Sequence, residues 1–477
     1  MNANFTAPAS SAASSAASRD ALIAAAARHF DSGAYTSELA RRVEARTESQ
    51  NPERRAELLA YLAGDTATCL AALGFASEIW ANPVDGAPPF LFASRIEHPA
   101  LPTVLIYGHG DVVRGDDANW APGLEPWRVQ VIGDRLYGRG TADNKGQHSV
   151  NLAALALTLQ ARGGKLGFNL KCLMEMGEEV GSPGLAEVAA LHAAELRADR
   201  FLASDGPRVD ADTPTLFLGS RGFINFTLSI ESRQRSYHSG NWGGLLANPG
   251  LRLANALATL ADARGAIRLA GLKPASLPPE VKARLAGVTL DDQPGAPAID
   301  DGWGEPGLSR GEKLYGWNAF EVLAMTAGNP AAPVNAISPS ARAHCQLRFV
   351  VGTDWQRLDA MLRTHFDSLG YEDVQVTLGD RSPATRLSPD DPWVRFVERS
   401  VETTLGRAPT VLPNIGGSIP NHVFSDVLGL PTVWIPHSYP GCAQHAPDEH
   451  MLAGVAREGL MMMAGVWWDL GEENPAR

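Results

Sequence analysis

Four short apolar runs constrain this chain more than any other feature. They are LPTVLIYG (101–108), FNLKCLMEM (168–176), RFLAS (200–204) and LPTVWIP (430–436), all rich in β-branched or aromatic residues. Helical stretches alternate with them, KGQHSVNLAALALTLQARG (145–163) and GLAEVAALHAAELRA (184–198). Strand, helix, strand, helix predicts an α/β layer around a mixed, mostly parallel sheet. Unbroken apolar strands suit a sheet covered by helices on both faces. Upstream, residues 20–75 read as helical, with Asn51 as a cap, Pro52 in a first turn and Gly74 closing the last helix.

A second unit interrupts the first. GFINFTLSIES (222–232), ARAHCQLRFVV (341–351) and EDVQVTLGD (372–380) read as strands, the first two alternating as half-exposed ones do. PGLRLANALATLADA (249–263) and DWQRLDAMLRTHFDSL (354–369) read as the helices between them. Together they predict an α+β module. The stretch 272–317, rich in Pro, Gly, Asp and Trp, reads as a long structured loop. Helical and then α/β character returns near 388 with DDPWVRFVERSVETTLG. The expected organisation is a mobile Ala/Ser tail at 1–18, a catalytic domain in two pieces, 19–214 and 386–477, and an inserted lid or dimerisation domain at 215–385. No fixed-period repeat is visible.

With 477 residues the chain can bury a large core without disulfides. Its formal charge of −12 argues against a general nucleic-acid partner. Cys69, Cys172, Cys345 and Cys442 form no CxxC pair, which leaves reduced thiols in a cytoplasmic protein as the expectation. No apolar stretch reaches the ~18 residues of a membrane span, so no membrane partner is expected. The N-terminus does not read as a secretory signal.

The chemistry sits where the strands end. His109 and Asp111 follow the first run, Glu178 and Glu179 the second, and Asp205 the third. After the fourth come His437, His445, Asp448, Glu449 and His450. Asp143 lies in a Gly-rich turn just before a helix. Singly, each has a bland explanation: a surface pair, an N-cap, a turn. Jointly they put ligand-type residues at the carboxyl ends of parallel strands, where open α/β sheets bind their ligands. Imidazoles with carboxylates suit zinc, and cobalt or manganese less specifically. The inventory exceeds one tetrahedral zinc and fits two metals ~3.5–4 Å apart, bridged by a carboxylate and a water.

GHGDVV, YGRGTADNKGQ, MEMGEEVGSPG, ASDG, YHSGNWGG, GGSIP and QHAPDEH, in this order and spacing, resemble the zinc-dependent aminoacylase/carboxypeptidase/dipeptidase metallopeptidase family, and within it the carnosinase-like and glutathione-degrading dipeptidases. The resemblance runs from about residue 40 to 470. It implies that His109, Asp143, Glu179, Asp205 and His445 are metal ligands, with Asp143 bridging. Spacing alone leaves His437 and His450 open beside His445; the QHAPDEH motif decides it. By the same resemblance, Asp111 orients the His109 imidazole and Glu178 is the general base acting on a metal-bridging hydroxide. The residue after the bridging Asp is here Asn144, and the family's cis peptide is expected at that bond. His238 would stabilise an oxyanion, reaching into a partner's active site. Arg348 would grip a substrate carboxylate, with Gly417 and Ser418 lining the same pocket and Asn335 a looser match. Cys442 reads as packing.

The function these residues imply is hydrolysis of an amide bond in a small peptide or N-substituted amino acid bearing a free carboxylate. A dipeptidase comes first. The alternative is an N-acyl or N-carbamoyl amino-acid amidohydrolase, and a remote one is an inactive binding protein on the same fold. Two divalent metal ions and a homodimer through the lid domain complete the expectation.

Overall fold

The computed structural model describes residues 18–290 and 297–473. Of the expected tail, residues 1–17 lie outside the described residues. Ser18 caps the first helix, its Oγ accepting from the Ala21 N–H at 3.2 Å.

The fold is α/β, organised on an eight-stranded sheet. In spatial order the strands are Ala76–Trp80, Phe90–Arg95, Asn169–Glu175, Thr103–His109, Arg200–Ala203, Thr432–Trp434, Thr215–Phe217 and Thr410–Leu412. The middle four run parallel. The first two are antiparallel to their neighbours, and Thr215–Phe217 meets Thr432–Trp434 antiparallel. The sheet is therefore mixed and mostly parallel, as the alternation predicts. The two strands at one side of it, 76–80 at the edge and 90–95 next in, were not foreseen from the sequence; neither alternates in burial.

The apolar runs are unbroken because each faces two cores. Along Thr103–His109, Val104 and Ile106 join one buried cluster, while Leu105 and Tyr107 join the other. The first cluster is roofed by the helices Lys145–Ala161 and Ala453–Glu472, the second by Leu185–Leu191. A fully buried aliphatic side chain contributes about 1.5–3 kcal/mol, so polar substitution on either face would be costly.

The interrupting module is a four-stranded antiparallel sheet in the order Ala319–Thr326, Ser340–Phe349, Gly222–Glu231, Gln375–Ser382. Helices Pro249–Leu260 and Leu358–Ser368 cover one face, over a third core containing Ile224, Leu253, Leu347 and Leu362. The 319–326 strand was missed by sequence reading. It lies at the sheet edge with Val322, Leu323 and Met325 exposed, so burial leaves no alternation in its sequence.

The 272–317 stretch also departs from expectation. It contains the helices Pro279–Leu285 and Arg310–Tyr315. The first starts on a proline at its first position, and the second is closed by a capping box between Ser309 and Glu312. Val281, Leu285 and Tyr315 bury themselves in the second core of the large sheet, beside Phe217 and Ile415.

Candidate metal centre and substrate cleft

The carboxyl end of the parallel sheet gathers the polar residues. His109 is the last residue of its strand, and Asp205 follows the Arg200–Ala203 strand by two residues. Glu178 opens a single turn, Glu178–Val180, beyond the Asn169–Glu175 strand. Asp143 precedes the Lys145–Ala161 helix across a cis Asp143–Asn144 peptide. His445 comes in on the long loop after Thr432–Trp434, at φ 60°, a left-handed conformation that non-glycine residues rarely adopt.

These side chains converge. His109 Nε2 lies 3.1 Å from Asp143 Oδ1 and 3.5 Å from Asp205 Oδ2. His445 Nε2 lies 3.0 Å from both Asp143 Oδ2 and Glu179 Oε2. Two triads result, His109–Asp143–Asp205 and Asp143–Glu179–His445, sharing Asp143, and within each the ligand atoms lie within 4.8 Å of one another. Glu178 lines the cleft beside them together with Asp143, Asp205 and His445. His437 and His450 stay out of the cluster. His437 contacts Ser204 Oγ at 3.1 Å, and His450 contacts the Tyr439 hydroxyl at 2.6 Å.

The electrostatics identify what such a site takes. Burial pushes the Glu178 carboxyl well above the ordinary range, and the charges of Asp205, Asp143 and Glu179 add to it against His109. Burial pushes Glu179 up to about 7. Burial works against a charged His109, yet hydrogen bonds with Asp111, Asp143 and Asp205 hold its imidazole well above the usual value. Hydrogen bonds with Asp143, then Glu179, push His445 up to about 11. Among the described residues, Asp143, Glu178, Glu179 and Asp205 make no ion pair with lysine or arginine. Buried carboxylates at this density demand cationic partners. Nitrogen and oxygen donors in two triads around a shared carboxylate fit two divalent cations.

Residues behind the triads fix their positions. Asp111 is fully buried. Its Oδ1 lies 3.3 Å from His109 Nδ1 and accepts from the Glu178 N–H at 3.2 Å, while Oδ2 accepts from the Glu179 N–H at 3.1 Å. The Asp111 carbonyl oxygen also lies 3.1 Å from His109 Nδ1, so this residue aims the imidazole with its backbone and carboxylate together, and the carboxylate pins the turn that carries both glutamates. Glu449 is no member of the triads. It accepts from the N–H groups of Gly140, Ala142 and Asp143 and from Arg139 Nη1 at 2.8 Å, holding the turn that presents Asp143. Asn144 Nδ2 donates to the Ser204 carbonyl at 2.7 Å, tying this turn to the strand end before Asp205. Gln444 donates to Asp143 Oδ2. Sequence reading passed over Gln444; its position next to His445 was the only available signal.

The cleft continues to a second polar end. Arg348, Gly417 and Ser418 line it together with Asp143, Glu178, Asp205 and His445. Arg348 Nη1 donates to Ser418 Oγ at 3.0 Å, and Ser418 Oγ donates to the Arg221 carbonyl at 2.9 Å. His238 stands apart: it is exposed and does not line this cleft. Its Nδ1 accepts from the Gly240 N–H at 3.1 Å, and Asn335 sits beside it, accepting from the Ser239 N–H at 2.9 Å. Cys442 is buried and free, against Ala142 and Tyr439.

The sequence profile of peptidase family M20/M25/M40 matches residues 105–469. The chain belongs to this family. A Beta-Ala-His dipeptidase of Mus musculus is 34% identical over 188 residues, 39% of this chain and 38% of that protein, so the aligned part spans well under half of that relative. A succinyl-diaminopimelate desuccinylase of Methylobacterium sp. (strain 4-46) is 30% identical over 76% of this chain and 78% of its own. In structure, human carnosine dipeptidase 1 superposes with a TM-score of 0.75 at 21% identity, covering 95% of this chain and 99% of the other.

Proposed function

We propose that this chain is a dipeptidase that works with two divalent cations, zinc first and manganese or cobalt as alternatives, on small substrates with a free carboxylate. The observation that carries the reading is one cleft with two triads sharing Asp143 at one end and Arg348 with Ser418 at the other. His109, Asp143 and Asp205 would hold one cation, and Asp143, Glu179 and His445 the other. Cations bound there supply Lewis acidity, which polarises a carbonyl and brings the pKa of water near neutrality.

The chain's own residues do the rest. Asp111 fixes the His109 tautomer, its backbone carbonyl accepting from Nδ1 at 3.1 Å with Oδ1 close by at 3.3 Å, which leaves Nε2 toward the triad. Glu178 takes the proton of the attacking water on its carboxylate and returns it to the departing amine. Arg348 grips the substrate carboxylate through a planar pair of N–H donors, and Ser418 fixes that guanidinium. His238 accepts at Nδ1, so in its neutral form Nε2 carries the proton and is the donor for an oxyanion. It lies outside its own cleft, which supports service to a partner's site in a homodimer through the 215–385 domain. The organisation 19–214 with 386–477 around that domain is part of the same reading. Among the described residues no helix is long and apolar enough to cross a membrane. Four free cysteines are compatible with a cytoplasmic setting.

One observation favours a second reading, an N-acyl amino-acid amidohydrolase: the desuccinylase relative is 30% identical over 76% of the chain, whereas the human Beta-Ala-His dipeptidase, over a similar 81%, is 24% identical. The deciding experiment is a hydrolysis screen of dipeptides, N-acyl and N-carbamoyl amino acids with protein reconstituted in zinc, manganese or cobalt. Turnover of dipeptides supports the proposal. Strong turnover of N-acyl amino acids with none of dipeptides overturns it.

A further inference from the structure

The cleft is a cavity of about 620 Å³, and beyond its polar groups its wall is apolar. Part of that wall comes from the 279–315 stretch of the same chain. Tyr315 is buried in the second core and anchors the short capped helix Arg310–Tyr315. Leu314, next to it, lines the cleft and is 37% exposed, and Ile299 lines it at 39%; both also border a neighbouring cavity beside Trp303. Ile415 and Ile419 line the same cavity from the loop that carries Gly417 and Ser418.

Gly416 marks where this wall lies along the cleft. A Cβ built there would stand 3.5 Å from Leu314 Cγ and 3.7 Å from Tyr315 Cε1. Two residues on, Ser418 holds Arg348 at 3.0 Å. Leu314 and Tyr315 therefore sit beside the carboxylate grip. In an amino-acid residue the carboxylate and the side chain branch from one carbon. A wall next to the carboxylate grip meets the side chain of that same residue. Large apolar side chains left in contact with water inside a cleft gain by being covered by an apolar group.

We propose that Leu314, Ile299 and Tyr315, with Ile415, form the side-chain pocket for the carboxylate-bearing residue of the substrate and select a large apolar one, such as leucine, methionine or phenylalanine. This rests on the proposed hydrolysis of carboxylate-bearing substrates, but not on which group is acylated. The same residue occupies the pocket in a dipeptide and in an N-acyl amino acid.

The test is kcat/KM for two series, Ala-X dipeptides and N-acetyl-X, with X glycine, leucine, phenylalanine or aspartate. Leucine and phenylalanine are expected to exceed glycine by at least about 10–200-fold, the discrimination that a single methylene gives in an apolar pocket. Leu314→Ser should cut that ratio at least several-fold, Leu314→Met should keep it, and Ile299→Ser should lower it independently. Calorimetric binding of the same compounds to Glu178→Gln reads the preference without turnover. A ratio near one in whichever series is turned over, or a ratio unmoved by both serine variants, overturns the proposal while hydrolysis stands. Turnover of N-acetyl-X alone, with the apolar preference, overturns the dipeptidase reading and leaves this pocket standing. Absence of both turnover and binding overturns both.

Discussion

Asp111→Asn is the most informative perturbation of the metal centre. In the native site both carboxylate oxygens are used, Oδ1 by the Glu178 N–H and the His109 ring and Oδ2 by the Glu179 N–H. An asparagine keeps one carbonyl oxygen and turns an amide NH₂ toward a donor that needs an acceptor. At least one charge-assisted bond is lost, about 1.5–3 kcal/mol at a buried position. At ~1.4 kcal/mol per factor of ten, that is roughly 10–100-fold in cation affinity, the range seen when groups behind a ligating histidine are changed. Asp111→Ala should cost more, because both glutamate N–H groups then lack an acceptor. The assay is competition for zinc against a chelating dye, with thermal unfolding measured on the same samples to separate lost affinity from lost fold. A folded Asp111→Asn protein with wild-type affinity for both cations would refute the reasoning that this carboxylate positions His109 and the Glu178–Glu179 turn.

Other consequences are as direct. Glu449→Ala leaves Arg139, 1% exposed, without its carboxylate, and should destabilise by about 3–5 kcal/mol in urea unfolding while loosening cation binding through Asp143. Removing cations with a chelator should abolish hydrolysis and lower the unfolding temperature, with recovery on adding zinc; at cation concentrations 100 times Kd the linkage is ~2.7 kcal/mol. Away from the site, Asp65 pairs with the buried Arg42 at 2.8 Å. Burial works to raise its pKa, but the charge of Arg42 and hydrogen bonds from Arg41 and Arg42 hold it below the ordinary carboxylate value. A lowered folded pKa contributes stability that is complete above the unfolded value, about 3.9, and is lost as pH falls through the folded one. Asp65→Asn should therefore destabilise at pH 6–8, and its difference from wild type in chemical denaturation should shrink below about pH 4.

Much of the site was legible because its residues sit at fixed offsets from strand ends. His109 closes a strand and Asp205 follows one by two residues, so residue type and position coincide with what the fold does. His445 was distinguishable from His437 and His450 only through its motif, since His437 and His445 lie on one loop and His450 opens the short strand that ends it. The second contact of Asp111 was not legible: an acceptor of backbone N–H groups is a bare aspartate in sequence, and its partners lie on another strand's turn. The same holds for Glu449 beneath the Asp143 turn, about 300 residues away. The 319–326 strand escaped because its exposed apolar residues leave no two-residue period. The wall built by Leu314 and Tyr315 escaped because a Pro- and Gly-rich stretch reads as loop whatever it packs against.

The central claim is that Glu178 moves the proton while five other residues hold the cations. Glu178→Gln measured side by side for bound metal and for turnover tests it most directly. The expected result is two cations per chain by elemental analysis, as in wild type, with kcat reduced by about 10²–10⁴-fold, the contribution of a general acid–base group. Wild-type turnover in that variant, or loss of a cation with the glutamate, would contradict it.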